Sequence, residues 1–382
     1  MKKFLAITLL ILLAGCTSAN IFKELGDNIA GPNGMVIDEA NNRLYLINSN
    51  SNVLYNWLDG SVQIYDITDP LAPVLLKTIP TDSYSGEAFL DATRKLLYTT
   101  NRFSEENNIT EDHLLAINID EASADYGVVS SSLTGANPYG LYCCYPADRM
   151  WISTGNNDLE YVDLSNLNSL GSISLNVTLS NGSTITQSET AFIAVKNNQA
   201  FVPRSRGGLY IINLDEVGVA DKYPVDYFID NFTAPWAVAT DGTYVYLVDE
   251  EQEDDYEPLL FVIDPATLVP LTDNTMTEYL NRDDTSVVIA QITVAKQPKV
   301  VFLTSQYAFV TCGNEDDPGY VSVVDLASRT LITNITVGQE PFEMALYETG
   351  GVEKYLYVGD VQDNTITIID IATLTVVAVY PQ

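Results

Sequence analysis

The sequence predicts an all-β fold, a seven-bladed β-propeller of four-stranded antiparallel blades. A sequence repeat that predicts four short strands recurs about every fifty residues. The strands are rich in Val, Ile, Thr and Tyr, and Asn, Asp and Gly separate them, while no long window has helical periodicity. One such sheet cannot bury both of its faces alone, and radial packing of the copies solves this problem. A β-sandwich and an open solenoid are the alternative architectures.

The amino terminus predicts export. Lys2 and Lys3 precede an apolar run at 4–13, which is too short to span a membrane and is typical of a signal peptide. We therefore expect residues 1–15 to be removed. No later segment is apolar enough to span a membrane, so the remainder is expected to be a soluble body.

The apolar run is followed by Ala14, Gly15 and Cys16, a segment that resembles the bacterial lipobox. The resemblance implies that Cys16 carries a lipid anchor. We expect the lipidated cysteine and a linker at 16–30, and the propeller at 31–382. Several acyl chains hold a protein on a bilayer, at about 0.8 kcal/mol per buried methylene. Because Thr17 is not the aspartate of inner-membrane retention, the expected location is the outer membrane or the cell surface. An ordinary signal peptide with an accidental cysteine is the alternative.

The formal net charge of −33 argues against nucleic acid as a partner. Such a charge keeps an exported body soluble and monomeric. Hydrophobic residues make up 46% of the chain and aromatic residues 10%, which excludes a disordered acidic tail. The chain therefore has enough apolar material for a large core.

The three cysteines other than Cys16 have neither disulfide-framework nor zinc-site spacing. Cys143 and Cys144 are adjacent on a predicted inner strand, where side chains alternate between the two faces. We therefore expect buried free thiols at Cys143, Cys144 and Cys312.

The last copy of the repeat is the clearest. Pro341 opens its first strand, and the other strands are 354–360, 364–371 and 374–380. Earlier copies open near Pro32, Ser85, Pro138, Ser188, Pro235 and Pro298. The predicted third strands are 61–67, 114–119, 159–164, 208–214, 259–264, 320–326 and 364–371.

These copies resemble the YVTN family of β-propeller repeats, on segments such as 320–326 (YVSVVDL) and 354–360 (KYLYVGD). Blade one, with VQIYDITDPLAPVLL at 62–76, is similar to the related LVIVD repeat. The resemblance covers nearly all of the chain after the leader, and blades two and four depart from it most. It implies the architecture and leaves the function open, because the motif consists of strand and turn residues.

One rim of the predicted ring is the expected functional face. In an antiparallel blade, the start of the first strand and the end of the second lie at the same edge. The long connections at 48–60, 101–112, 249–258 and 312–319 rise on that side. Long loops on a rigid scaffold commonly carry binding functions. The insertion at 265–286 in blade five should emerge on the opposite side.

Six residues are candidates for a ligand-binding rim. Tyr139, Trp236 and Phe342 follow the blade-opening positions, so their rings would offer an apolar surface to a ligand. Plugging of the channel mouth is the alternative role for these rings. Arg204, Asp249 and Asp360 lie at the ends of second strands.

An acidic segment in the blade-five loop suggests calcium. Asp254, Asp255 and Glu257 lie there, and Asp316 and Asp317 lie in the neighbouring blade-six loop. Oxygen ligands at this density suit Ca²⁺, although the spacing matches no EF-hand. A solvated acidic loop is the alternative, and no other cofactor is predicted.

The predicted function is a binding or adhesion module for a protein or a glycan. A carboxylate-based lyase or hydrolase is one alternative, with Asp249 or Asp360 acting beside Arg204. The chain has a single histidine, His113, and lacks Gly-x-Ser-x-Gly and Cys-x-x-Cys-His motifs, so an enzyme is less expected than a binding module. A scaffold within an outer-membrane complex is the other alternative.

Overall fold

Seven antiparallel sheets form a seven-bladed β-propeller in the structure of the protein, a computed structural model. The structure describes residues 26–50, 60–81, 85–102, 111–144, 148–186, 189–219, 222–249, 257–271, 276–314 and 318–381. The predicted fold class and blade number are confirmed, and the sandwich and the open solenoid are excluded.

Blades one to three follow one another along the chain. Blade one contains β1 (Pro32–Asp38), β2 (Arg43–Asn48), β3 (Gly60–Asp66) and β4 (Val74–Thr81). Blade two contains β5 (Ser85–Asp91), β6 (Leu96–Asn101), β7 (His113–Asn118) and β8 (Val129–Leu133). Blade three contains β9 (Leu141–Cys143), β10 (Arg149–Ser153), β11 (Asp158–Asp163) and β12 (Ser169–Ser174).

A short hairpin of β13 (Val177–Thr178) and β14 (Thr184–Ile185) precedes blade four. Blade four contains β15 (Ala194–Lys196), β16 (Gln199–Arg204), β17 (Gly208–Asn213) and β18 (Val225–Asp230). In chain order, the blade-five region contains β19 (Pro235–Thr240), β20 (Val245–Asp249), β21 (Leu259–Ile263), β22 (Glu278–Asn281) and β23 (Val288–Thr293).

Blades six and seven complete the ring. Blade six contains β24 (Pro298–Leu303), β25 (Tyr307–Cys312), β26 (Tyr320–Asp325) and β27 (Thr330–Thr336). Blade seven contains β28 (Pro341–Thr349), β29 (Val352–Asp360), β30 (Thr365–Asp370) and β31 (Thr375–Tyr380). All seven third strands lie within one residue of their predicted bounds.

Burial falls from the inner strands to the outer ones. Every residue of β17 is buried, because blades pack against both of its faces. The fourth strand β31 is mostly exposed. This gradient explains why second and third strands read as continuous apolar runs, whereas fourth strands are mixed.

The insertion in blade five extends blade four. After β21 the chain makes a short 3-10 turn at Pro265–Thr267. It then reaches β22, which pairs in parallel with β18 as a fifth strand. Beside it, Leu179 of the β13–β14 hairpin bridges to Thr277. The insertion thus covers the outer edge of blade four, where unpaired backbone groups would otherwise be exposed.

In the described part of the chain, which begins at residue 26, blades one and seven join by side-chain packing and exchange no strand. A single hydrophobic cluster includes Leu46 and Tyr65 of blade one with Tyr357 and Ile368 of blade seven. All four of these side chains are nearly or fully buried. The cluster is therefore the apolar seal of the ring.

Hydrogen bonds accompany this seal. The Gly31 N–H donates to Asn364 Oδ1 at 2.7 Å. The hydroxyl of Tyr357 donates to the Pro70 carbonyl. Before the first strand, the Ala30 N–H donates to Asn48 Oδ1 at 3.0 Å, so the entering segment is fixed on blade one.

The expectation of free thiols at Cys143 and Cys144 is wrong. A disulfide joins the two residues. Strand β9 ends at Cys143, and Cys144 has a φ of 75°, so the alternation of an extended strand stops between them. The disulfide links neighbouring residues and ties no blades together. Cys312 is a buried free thiol, as predicted.

Replacing Ile368 by Ala should lower the free energy of unfolding by about 2–5 kcal/mol, because the cavity forms in the apolar seal. Val377→Ala on the exposed face of β31 is the control, expected to change stability by less than about 0.5 kcal/mol. Urea denaturation of both purified variants measures the difference. Equal effects of the two substitutions would contradict the assigned seal.

Candidate functional site

The inner strands carry a repeated irregularity at the predicted rim. In five blades a β-bulge follows the opening residue of the first strand, as between Pro341 and Met344. The register places Pro235 opposite Asp249, and Pro341 opposite Asp360. Bulges re-aim side chains, so the residues just after the opening position leave the regular alternation at the channel mouth.

Four aromatic rings meet at this mouth and form what we term the aromatic cluster: Tyr139, Phe192, Trp236 and Phe342. Tyr139 is its centre, with ring centroids 6.1 Å from Trp236, 6.3 Å from Phe342 and 5.2 Å from Phe192. The structure thus brings together the three aromatic residues predicted from the sequence. Tyr139 is 1% exposed, whereas Trp236 and Phe342 are partly exposed.

Neighbouring blades hold Tyr139 in position. The Thr100 hydroxyl of blade two donates to the Tyr139 carbonyl at 3.2 Å, and the Arg102 guanidinium lies 5.7 Å from the ring centroid. A Cβ on Gly86 would lie 2.9 Å from the same carbonyl, so only glycine permits this close approach. Tyr139 therefore plugs the mouth, and Trp236 and Phe342 provide the accessible apolar surface.

Phe192 was missed by the sequence reading because blade four was started too early. The bridge partner of Arg204 is Thr190, whereas the predicted opening residue, Ser188, lies outside the described residues. Blade four lacks the opening proline, so nothing in its sequence fixed the register.

Two carboxyl groups lie on the inner strands of blades two and seven: Glu87, which is partly exposed, and Glu343, which is buried. Glu87 Oε2 accepts the Leu141 N–H of blade three at 2.9 Å. Glu343 is 7% exposed, and its Oε1 has no hydrogen-bond partner among the described residues. We call Glu87 and Glu343 the acid pair.

The acid pair titrates far from the usual range of glutamate. Burial raises the pKa of Glu87 to about 7, although the Leu141 N–H opposes the shift. Burial, and next the charge of Glu87, hold the pKa of Glu343 well above its ordinary value. Since each ionised carboxylate disfavours the other, the pair retains protons at neutral pH. Sequence reading missed both residues, although each is the third residue of its blade.

Asp249 stabilises the turn between blades four and five. Its carboxylate accepts the N–H groups of Thr233 and Ala234 at 2.6–3.0 Å. Arg282, from the insertion, lies 3.4 Å from the same carboxylate. Burial raises the pKa of Asp249, while these donors and the guanidinium oppose the shift. Asp249 is thus engaged on all sides by its own chain.

Asp360 has the matching place in blade seven. Its Oδ2 accepts the hydroxyls of Thr365 and Thr367 at 3.0 and 2.7 Å. The residue is fully buried, and burial raises its pKa to about 7 against those hydrogen bonds. A Cβ on Gly338 would lie 2.5 Å from the Asp360 carboxyl carbon, so the turn packs directly on this side chain.

Arg204 lies with its own loop instead of joining these acids. Its guanidinium donates to the Arg206 carbonyl and, at 3.3 Å, to the Thr186 carbonyl. Among the described residues, Arg204 forms no ion pair with Asp249 or Asp360. The carboxyl groups in which one charge influences the ionisation of the other are Glu87 and Glu343.

Most of the predicted calcium residues fall outside the described residues. These are Asp254, Asp255, Asp316 and Asp317. Glu257 is described and exposed. Within the described ranges, no group of three or more His, Cys, Asp or Glu side chains is arranged to hold a metal ion.

The predicted lipidation site, Cys16, and the signal segment also lie outside the described residues. In the part of the chain that the structure covers, no helix has the length and apolar character needed to cross a membrane.

Comparison with solved structures supports the architecture. Hydrazine synthase from Kuenenia stuttgartiensis matches with a TM-score of 0.64 and 11% identity, over 91% of this chain and 97% of that chain. A computationally designed protein, Ika8, matches with a TM-score of 0.54 and 10% identity, over 93% of this chain and 88% of that chain. At such identities the likeness shows the fold alone. No protein-family model matches the chain, and no curated protein matches it significantly.

The acid pair makes stability fall as pH rises. The two carboxyl groups bind their protons more tightly in the folded state than in the unfolded chain. Their protonation therefore stabilises the folded state at low pH, and this stabilisation is lost as pH passes about 7. We expect the melting temperature to fall from about pH 5 to about pH 8, and Glu343→Gln to reduce that fall.

Glu278→Gln, which removes an exposed carboxylate from β22, is the matched control and should leave the slope unchanged. Scanning calorimetry across the pH range measures all three proteins. The same slope in Glu343→Gln and in the unaltered protein would show that the pair does not titrate in this way.

Proposed function

We propose that the protein is a lipid-anchored, extracytoplasmic binding protein whose propeller engages a protein or glycan partner at the channel mouth. The aromatic cluster carries this proposal. Its rings come from four blades, so the surface exists only in the closed ring. A seven-bladed propeller also fits a binding or interaction module.

The chemistry of the mouth favours a ligand with an apolar face and a hydrogen-bond acceptor. Trp236 and Phe342 expose part of their rings, and Trp236 Nε1 is buried without an acceptor among the described residues. Buried indole N–H groups normally have a partner, so a bound acceptor would complete this one. Partly exposed aromatic anchors on rigid strands are typical of binding hot spots.

The anchor and the location rest on the amino-terminal sequence. Positive residues, an apolar run and small residues before Cys16 support lipidation. An outer-membrane or cell-surface location then follows, and a place in an outer-membrane complex is one form of the same binding function.

A second candidate function has one observation in its favour. The acid pair supplies two carboxyl groups with raised pKa values, about 7 for Glu87 and well above the ordinary value for Glu343, which suits general acid–base chemistry in a lyase or hydrolase. A ligand that binds but is not converted to product would favour the binding function over the enzyme. Loss of turnover with retained binding in Glu87→Gln would instead favour the enzyme.

Cys16→Ser should abolish lipid labelling and release the protein from membranes, because the thiol is the acylation site. Growth with an alkyne fatty acid, followed by click detection and fractionation, measures both effects. Cys312→Ser, at the buried free thiol, should retain the label. Labelling that persists in Cys16→Ser, or is absent from the unaltered protein, would rule out this anchor.

Trp236→Ala should weaken ligand binding by about 2 kcal/mol or more, because the accessible aromatic anchor is lost. An array of bacterial envelope glycans and peptides supplies the probes, and titration calorimetry measures the affinity of each positive probe. Val352→Ala, which truncates an exposed apolar side chain at the opposite edge of blade seven, is the control. Equal affinities for Trp236→Ala and the unaltered protein would contradict a ligand at the mouth.

A further inference from the structure

A cleft of about 590 Å³ separates the outer parts of blades two and three. Its lining comes from the third and fourth strands of blade two and from the turn after β11 of blade three, at 164–168. None of its lining residues belongs to the aromatic cluster. The volume lies in the range of small-molecule binding sites.

The cleft results from the small side chains of strand β8, whose sequence is VSSSL. Ser130 pairs with Ala116, and Ser132 pairs with Leu114. Directly opposed residues share one face of a sheet, so both serines face the same side as Leu114 and Ala116. These two apolar residues belong to the cluster between blades two and three.

Among the described residues, β8 contributes no side chain to that cluster. Elsewhere the fourth strand fills the corresponding space. Ile79 of blade one, Ile173 of blade three and Tyr380 of blade seven each enter the cluster shared with the following blade. The serines of β8 therefore leave open a space that other fourth strands fill.

The floor and walls of this space differ in chemistry. Leu96, Ala116, Leu164 and Leu167 supply the apolar floor. The polar walls include Ser130, Ser132, Asn168 and Asp125. Within the described ranges, the side chains of Ser130, Asn168 and Asp125 make no hydrogen bond or ion pair with the protein, so they are available to a ligand.

The charge of the lining restricts the ligand. Asp125 is the only ionisable residue among the described residues that line the cleft, so these residues offer no cation to pair with a phosphate, sulfate or carboxylate group. An anionic ligand would meet the Asp125 carboxylate and a strongly acidic protein. A neutral ligand rich in hydroxyl groups has no such penalty.

We propose that this cleft binds a neutral saccharide of one or two sugar units. A pyranose ring presents a C–H face that suits the leucine floor and hydroxyl groups that suit the serine, asparagine and aspartate walls. The site is additional to the aromatic mouth, on the side wall of the ring. It gives the protein a carbohydrate-binding surface that is independent of the aromatic mouth.

Neutral disaccharides test the proposal directly. Maltose, lactose and N,N′-diacetylchitobiose serve as probes, and glucose 6-phosphate serves as the charged counterpart. Saturation-transfer NMR and titration calorimetry on the purified protein should detect at least one neutral sugar. Glucose 6-phosphate should not bind.

Ser132→Leu should weaken the binding of that sugar at least about tenfold, because the leucine fills the cleft and removes a hydrogen-bonding group. Asn168→Ala, at an exposed wall residue, is the second variant and should weaken it in the same direction. Thr336→Leu places leucine on the exposed fourth strand of blade six and should change nothing. Melting curves verify that each variant is folded.

The proposal is overturned if no neutral probe binds, if glucose 6-phosphate binds equally well, or if Ser132→Leu and Asn168→Ala both retain full affinity. Binding only of an extended peptide along the free edge of β8 would also overturn it. Trp236→Ala should leave sugar binding at the cleft intact, so failure of the cleft and failure of the aromatic mouth are distinguishable.

Discussion

The packing of blade one against blade seven is the contact on which the rest of the molecule depends. Each blade buries its inner strands only because a neighbouring blade covers each of its two faces. An open ring would therefore expose one face of blade one and one face of blade seven. The joined segments are far apart in sequence, since the paired Gly31 and Asn364 are separated by 333 positions. The entropy of closing so long a chain must be offset by the apolar seal, because no exchanged strand assists it in the described part of the chain. The aromatic mouth inherits this dependence because its rings come from blades on different sides of the ring.

The acid pair lies next to this closure. Glu87 and Glu343 belong to blades two and seven, the two neighbours of blade one, so their ionisation adds charge around the blade that seals the ring. Burying carboxyl groups without full hydrogen bonding costs free energy, and Glu343 Oε1 has no partner among the described residues. Groups that cost stability and titrate near neutrality are characteristic of functional sites.

The repeat made the strands readable from sequence. Third strands were placed within one residue because buried apolar runs end in aspartate and a turn, and this pattern recurs in nearly every copy. Blade four was placed near Ser188 because it lacks the proline that marks five of the other six openings, whereas Thr190 is the bridge partner of Arg204, and Phe192 was missed with it. The disulfide of Cys143 and Cys144 was missed because the alternation rule holds only for extended backbone, which ends at Cys143.

The candidate sites were harder to predict from the sequence because an aspartate can either bind a ligand or accept hydrogen bonds from its own chain. Asp249 and Asp360 looked like ligand groups, yet they accept hydrogen bonds from their own chain. The groups available to a ligand occur where a copy departs from the repeat. Glu343 occupies a position that Val300 fills in blade six, and Ser132 faces a space that an apolar side chain fills elsewhere. In a propeller the shared pattern encodes the ring, so its function is encoded by the exceptions to that pattern.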